Sequence, residues 1–129
     1  MFAALNEREK RTLPDPFRDF PRGSCHPASE VLGRYLRDAL KIEPQVVRAD
    51  RIFPQPRGWS THAWLEVDEL VIDITADQFG QEPVVVTRCS PWHRGFRIIE
   101  REALDSWGEE WWNDYCAPVF ERFKKFVGG

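Results

Sequence analysis

Three residues of the sequence could form a nucleophilic triad, in the order cysteine, histidine, aspartate: Cys25, His62 and Asp73. A cysteine attacks a carbonyl group as its thiolate, which the positive end of a helix and a nearby imidazolium both stabilise. A carboxylate on the far side of the imidazole fixes the tautomer and orientation of that ring. We therefore expect the three side chains to meet in space as nucleophile, proton carrier and orienting acid.

The cysteine stands at the predicted start of the most regular helix in the sequence. Ser24 is a favourable N-cap because its hydroxyl can accept a hydrogen bond from the first turn, and Pro27 is tolerated in that turn. Apolar residues then recur every three or four positions, which predicts one buried helix face: Ala28, Val31, Leu32, Tyr35, Leu36, Ala39 and Leu40. We expect this helix to end before Pro44.

The histidine and the aspartate fall on two segments that are predicted to form a β-hairpin. Residues 62–67 and 70–75 alternate in polarity on either side of a turn at 68–69. A two-residue turn without Gly or Asn is unusual, so a longer turn is also compatible with the pattern. Opposed side chains of an antiparallel pair lie about 5 Å apart, which brings Asp73 within reach of His62. A carboxylate flanked by isoleucines is costly to bury unless it is paired.

Further side chains are expected to lie near the triad as substrate contacts or supporting groups. Trp64 shares a strand face with His62 and would shield it, and Asp77 is the alternative acid if the hairpin register shifts. The backbone N–H of Cys25 is the natural first donor of an oxyanion hole, and the nearest candidates for the second are Asp19 and Ser24. The complete set of supporting candidates is Ser24, His26, Trp64, Asp77, Trp92 and His93, the last two in a predicted loop over 90–95.

These segments resemble the transglutaminase-like branch of the papain-like cysteine proteinase superfamily. In that branch the histidine opens an H-A-W-x-E-type strand, as in residues 62–67, and the acid lies in an I-D-x-T-type strand, as in residues 72–75. The resemblance covers residues 20–80 and extends to small bacterial proteins of toxin or effector type. It implies a papain-like α+β fold, a thioester intermediate, and peptidase, glutamine deamidase or acyl-transfer activity. The pair His26-Pro27 departs from it, because small or polar residues are expected beside the cysteine.

Length predicts one domain, residues 1–129. The predicted elements make it α+β, with the helix that carries Cys25 packed on an antiparallel sheet and an aromatic helix at the C-terminus. A hydrophobic content of 42% is typical of globular proteins, and a net charge of −3 favours no nucleic-acid partner. Three cysteines without a signal-peptide pattern indicate a reducing compartment, hence the cytoplasm, or export without a cleaved signal. No apolar run approaches the roughly 18 residues that a membrane span needs. The expected partner is a protein or peptide substrate, and the oligomeric state is left open.

The remaining segments are predicted to complete a sheet and a C-terminal helical region. The region from Glu109 onward has helical periodicity, which Pro118 should kink or restart. Strands are expected over 45–53, 83–88 (as a central strand) and 96–99, with a short helix over 2–12 and an ordered proline-rich loop over 13–21.

Two other interpretations of the sequence compete with the triad. Zinc ligands could come from Cys25, His26, His62, Cys89 and His93, but no Cys-x-x-Cys or His-Glu-x-x-His spacing occurs, so neither a metal nor another cofactor is predicted. Alternatively, the chain is an inactive papain-like fold that binds another protein through the aromatic residues of its C-terminal region: Trp107, Trp111, Trp112, Phe120 and Phe123.

Overall fold

The computed structural model describes residues 25–128, with side chains described as far as Lys125. Helix α1 (Cys25–Leu40) packs on a five-stranded antiparallel sheet, which confirms the predicted α+β class with a helix preceding the sheet. The predicted helix over 2–12, the loop over 13–21 and the Ser24 cap lie outside the described residues.

The sheet has five strands: β1 (Gln45–Ile52), β2 (Trp59–Val67), β3 (Leu70–Asp73), β4 (Val85–Thr87) and β5 (Arg97–Ala103). They follow the order β4-β3-β2-β1-β5 across the sheet, and every neighbouring pair is antiparallel. The middle strand, β2, forms the predicted hairpin with β3, where Leu65 lies opposite Ile72, and it pairs on its other side with β1, where Ala49 lies opposite His62.

Helical segments connect and follow these strands. A 3-10 helix (Ala76–Phe79) comes directly after β3, and helix α2 (Pro91–Arg94) lies between β4 and β5. Helices α3 (Glu109–Tyr115) and α4 (Ala117–Gly128) follow β5. Pro118 is the second residue of α4, where proline is tolerated, which confirms the predicted restart of the helix.

The two faces of the sheet are buried by different elements. One face packs on α1 through Val46, Ala63, Leu65, Ile72 and Leu104. Gly33 allows this close approach, because a Cβ there would lie 2.6 Å from Cδ2 of Leu104. The opposite face buries Val47, Ala49, Trp64, Val71 and Phe96, with Phe53 and Trp92 packed against them.

The predicted apolar face of α1 makes a further cluster with the C-terminal helices. Ala28 and Val31 are fully buried by three residues of α3 and α4 and by the cysteine between those helices: Trp112, Val119, Phe123 and Cys116. The apolar stripe is no longer buried at the end of α1, where Leu40 is exposed.

The predicted turn at 68–69 is confirmed with its two residues and is not longer: Val67 pairs with Leu70, and Asp68 and Glu69 adopt positive φ angles of 48° and 68°. Two predictions about local structure are wrong. Strand β4 is an edge strand and not a central one. Residues 90–95 contain helix α2, whose N-cap Ser90 accepts a hydrogen bond from the backbone of His93.

Candidate active site

His62 and Asp73 are hydrogen-bonded in the interior of the protein. Nε2 of His62 lies 2.6 Å from Oδ2 of Asp73, and the exposed fractions of the two side chains are 0% and 1%. His62 lies on β2 and Asp73 is the last residue of β3, so the hairpin register brings them together diagonally. Asp77, the alternative acid, lies in the 3-10 helix that follows β3.

The carboxylate of Asp73 is fully engaged in hydrogen bonds. Its Oδ1 accepts from the backbone N–H of Thr75 at 2.9 Å and from the Thr75 hydroxyl at 3.3 Å. Its Oδ2 is shared by Nε2 of His62 and Nε2 of His93, at 2.6 and 2.7 Å. Burial raises the pKa of this carboxyl, but the bonds from the two histidines and Thr75 outweigh burial and hold the pKa well below its usual range. Asp73 therefore stays ionised.

Cys25, the first residue of α1, is the second group that acts on His62. Burial lowers the pKa of His62, but hydrogen bonds and charge interactions with Asp73 and Cys25 outweigh it and raise the pKa to about 9. At neutral pH the ring is accordingly an imidazolium that interacts with a carboxylate and with a sulfur. The three predicted triad residues are thus brought together.

Cys25 and His62 open onto the same cleft, which has a volume of about 210 Å³. Arg48 contributes its guanidinium to the lining and is itself held by Glu100 at 2.6 Å and Glu102 at 2.7 Å. The remaining lining residues are small, apolar or aromatic, apart from Thr61: His26, Ala49, Ala63, Ile99 and Trp107. The cleft therefore combines the sulfur and imidazole with one cation and a hydrophobic wall.

Gln78 is a site residue to which the sequence assigned no role. Its Nε2 lies 3.2 Å from Nδ1 of His62, on the ring edge opposite Asp73. A neutral His62 would accept there from the amide N–H, whereas an imidazolium donates to the amide oxygen after the carboxamide turns over. The 3-10 helix fixes Gln78, and Arg57 donates to its backbone carbonyl at 2.9 Å. Only one sequence pattern points to this contact: an amide residue follows closely after a short strand of apolar residues that ends in an acid.

His26 forms a buried wall beside Cys25. Its ring centroid lies 4.1 Å from that of Trp107 and 5.2 Å from that of Trp111, and both pairs of rings are tilted, by 39° and 46°. Burial, and then the charge of Arg48, lower its pKa to about 4, so it is neutral at physiological pH. Its Nε2 is 3.8 Å from Oε2 of Glu102, too far for a hydrogen bond. The residue that departs from the family pattern is therefore an aromatic packing element.

His93, Trp92 and Trp64 enclose the other side of His62. His93 is only 4% exposed, and its Nδ1 lies 2.5 Å from Oγ of Ser90. The ring centroid of Trp64 is 4.8 Å from that of His93 and 5.6 Å from that of His62. Trp92 meets His62 edge-on at 5.8 Å. These three predicted supporting residues contact the His62 and Asp73 network directly, while Ser24 lies outside the described residues.

The donor atoms of His62, Asp73 and His93 lie within 4.8 Å of one another, the kind of cluster that can hold a metal ion. Ligand atoms around a tetrahedral zinc ion are about 3.3 Å apart, given zinc–ligand bonds of about 2.0–2.1 Å. The spacings of 2.6 and 2.7 Å are instead those of hydrogen bonds, and both use the atoms that a metal would need. The cluster therefore forms a hydrogen-bonded network, and it shares only His62 and His93 with the zinc set considered from the sequence.

No protein-family model, curated protein or solved structure matches the chain. In the part of the chain that the structure describes, no helix is long and apolar enough to cross a membrane. Trp112 and Phe123, two of the aromatics considered for partner binding, are buried core residues, whereas Trp107 is 45% exposed at the cleft.

Proposed function

We propose that this protein is a cysteine hydrolase or acyl transferase of papain-like, transglutaminase-like type that acts on amide bonds of a protein or peptide. The observation that carries the proposal is the placement of the His62 ring, which Asp73 holds at Nε2 and which interacts with the Cys25 sulfur. A buried imidazolium beside a cysteine at a helix start is an arrangement that favours a thiolate. The cleft gives a substrate access to both groups.

The reaction would proceed in two halves. The Cys25 thiolate attacks the amide carbonyl carbon and forms the C–S bond, which gives a tetrahedral oxyanion. The His62 imidazolium then donates a proton to the leaving nitrogen, the C–N bond breaks, and an acyl-thioester and a neutral imidazole remain. Water or an amine attacks the thioester, His62 takes its proton, and the C–S bond breaks to restore the thiolate. Peptide cleavage, glutamine deamidation and acyl transfer all share the first half.

Stabilisation of the oxyanion would come from two groups at the cleft. The backbone N–H of Cys25 lies at the start of α1, where it has no intrahelical acceptor. The Gln78 carboxamide, beside Nδ1 of His62, supplies a second N–H on the ring edge opposite the acid. Gln78 replaces the upstream donors Asp19 and Ser24 as our candidate for this role.

Thiol alkylation tests the proposal without a known substrate. The protein is treated with iodoacetamide at pH 6, and labelling of each cysteine is followed by mass spectrometry. Cys25 should react at least about tenfold faster than Cys89, because a neighbouring imidazolium activates a cysteine as a nucleophile. Cys89 is an internal reference because it is exposed, and Cys116 a second one because it is buried.

Matched variants show whether the triad causes that reactivity. His62→Ala and Asp73→Asn should slow labelling of Cys25 about tenfold or more, whereas Asp77→Asn should leave it nearly unchanged. Equal labelling of Cys25 and Cys89 in the native protein would contradict the proposal. If Asp77→Asn slowed labelling and Asp73→Asn did not, the acid would be reassigned to Asp77. Ammonia release and peptide cleavage on glutamine-rich proteins would then distinguish the reactions.

A further inference from the structure

We propose that His93 is a positioning residue of the active site, which locks the Asp73 carboxylate and thereby fixes the orientation of the His62 ring beside Cys25. The inference rests on the proposed function and extends it to a second histidine and a serine that the triad does not contain. The resulting chain of contacts runs from Ser90 through His93 and Asp73 to His62 and ends at Cys25.

Two histidines share one carboxylate oxygen of Asp73. Oδ2 of Asp73 accepts from His62 at 2.6 Å and from His93 at 2.7 Å, and both histidine rings are almost fully buried. An orienting carboxylate needs only one histidine, and Oδ1 is already fixed by Thr75. With His93 on Oδ2 as well, the carboxylate cannot rotate without leaving a buried donor unsatisfied, which is unfavourable.

The hydrogen bonds also determine which ring nitrogens of the two histidines carry hydrogen. An ionised carboxylate can only accept, so both Nε2 atoms must carry hydrogen. A neutral His93 then has a bare Nδ1, which accepts from the Ser90 hydroxyl at 2.5 Å. The Ser90 oxygen in turn accepts from the backbone N–H of His93 at 3.3 Å, which leaves its own hydrogen available to Nδ1. Asp73 and Ser90 therefore favour the same Nε2–H tautomer of a neutral His93.

The consequence falls on the opposite edge of His62. Because Nε2 of His62 is committed to Asp73, only Nδ1 can exchange a proton, and this is the edge that Gln78 contacts. Helix α2 supplies His93 to this network, and Ser90 and Pro91 set its start. Helix α2, which follows the edge strand β4, is thus connected to the His62 ring by two hydrogen bonds in series, from His93 to Asp73 and from His62 to Asp73.

The ionisable surroundings of His93 bear on any pH measurement. Its buried neighbours are Asp73 and His62, which itself interacts with Cys25. A second cavity of about 320 Å³ touches His93, and Arg51 of β1 donates to the backbone of Trp92 beside it. The charged residues around that cavity are Glu66, Glu69, Arg88, Arg94 and Arg101.

Nitrogen NMR of the imidazoles tests the tautomer directly. The sequence has only three histidines, so single substitutions assign every ring. Wherever its ring is neutral, His93 should carry its hydrogen on Nε2 in the native protein, and Ser90→Ala, which removes one of the two contacts that favour this tautomer, should allow a fraction of the Nδ1–H tautomer to appear. A native His93 in the Nδ1–H form would overturn the inference.

The pH profile of Cys25 labelling tests the positioning role. His93→Phe removes the donor to Asp73, and the acid limb of the profile should move up by about one pH unit, which is about tenfold slower labelling at pH 6. His93→Gln, whose Nε2 can still donate to Asp73, should restore most of the rate. A merely structural role would change thermal stability in both variants and leave both profiles in place, which would contradict the inference. If His93→Phe does not fold, Ser90→Ala decides, with a smaller shift in the same direction expected.

These results separate the two proposals. Slow labelling of Cys25 in the native protein, equal to that of Cys89, would refute the proposed hydrolase. Fast labelling that depends on His62 and Asp73 but is unchanged in folded His93→Phe and in Ser90→Ala would refute only the role of His93.

Discussion

Glu30 is a carboxyl group in the interior of the protein, far less well satisfied than Asp73. It is 1% exposed, and its Oε2 accepts a long hydrogen bond of 3.5 Å from the backbone of Asp105. Its Oε1 has no hydrogen-bond partner among the residues that the structure describes. Burial raises its pKa to about 7, and the Asp105 N–H and the charge of Arg34 only partly oppose that effect. Two buried carboxyl groups in one small domain thus differ in charge because their hydrogen-bond partners differ.

The raised pKa of Glu30 makes stability depend on pH in a predictable direction. Between pH 4.5 and pH 7 the folded state binds this proton more tightly than the unfolded state, so the free energy of unfolding falls as the pH rises. Glu30→Gln should remove that fall, which amounts to at most about 3 kcal/mol. Urea unfolding of both proteins at pH 5 and pH 7.5 measures it. The lowered pKa of His26 makes the free energy of unfolding rise with pH, but it does so in both proteins and cancels in the comparison. Equal changes in the free energy of unfolding of the two proteins between pH 5 and pH 7.5 would contradict the prediction.

At the residue scale, the sequence was informative where a residue type has few stable environments. An aspartate between two isoleucines needs a partner, and its pairing with His62 was predictable on that ground. Gln78 and Ser90 were not predictable as neighbours of the two histidines, because amide and hydroxyl side chains are common at any surface. Their contacts depend on the 3-10 helix and on α2, two short elements with little periodicity.

At the scale of elements, the β2–β3 turn is the clearest conflict between local preference and tertiary structure. Asp68 and Glu69 both adopt left-handed φ angles that Asn and Gly tolerate better. The hairpin nevertheless closes in two residues, because the apolar residues on both strands have a buried face to fill. A register slip would move His62 and Asp73 to opposite faces, so the turn length matters for the site.

Relieving this strain should stabilise the protein. The double substitution Asp68→Asn and Glu69→Gly should raise the free energy of unfolding by about 1 kcal/mol, because both residues then suit a left-handed conformation. Thermal and urea unfolding measure the gain. Glu82→Gly is the matched control, since Glu82 is also exposed but lacks a positive φ angle; there glycine should cost about 0.5 kcal/mol. A loss of stability in the double variant would show that the turn is not strained.

Edge and central positions of strands were harder to predict than the strands themselves. Residues 83–88 are rich in valine, which suits a buried strand, yet Val84 and Val86 are 60% and 58% exposed at the sheet edge. Helix α1 was predictable in start and extent, because its stripe has seven members and proline bounds it. Periodicity thus identifies an element, but the order of strands in a sheet depends on contacts between distant segments.

For the whole molecule, the C-terminal aromatic residues act mainly as core. Phe123 is 7% exposed and packs edge-on against Tyr35 of α1 at 5.1 Å. Phe123→Ala should therefore lower the free energy of unfolding by about 3–4 kcal/mol, whereas Tyr115→Ala, at an exposed position, should change it by less than about 1 kcal/mol. Urea unfolding measures both.

Cys116 offers a second measurement of the same prediction. It is fully buried beside Phe123, and burial, with the nearby charge of Glu30, raises its pKa to about 12. Its alkylation should report opening of this core and should accelerate in Phe123→Ala but not in Tyr115→Ala. Unchanged stability in Phe123→Ala would instead favour a partner-binding role for the aromatic region.

The pairing of β1 with both β2 and β5 has a consequence for how the chain acquires its structure. On one side, residues 45–52 of β1 pair with β2, the next strand in the sequence. On the other side they pair with β5, which lies about fifty positions later. During synthesis, every residue of the proposed triad is present once Asp73 has been added, yet β5 and the helices that bury α1 are still missing. A nascent or prematurely ended chain would therefore contain Cys25, His62 and Asp73 without the elements that bury α1 and flank β1, and the proposed site would be complete only after β5 and the helices that follow it have been made.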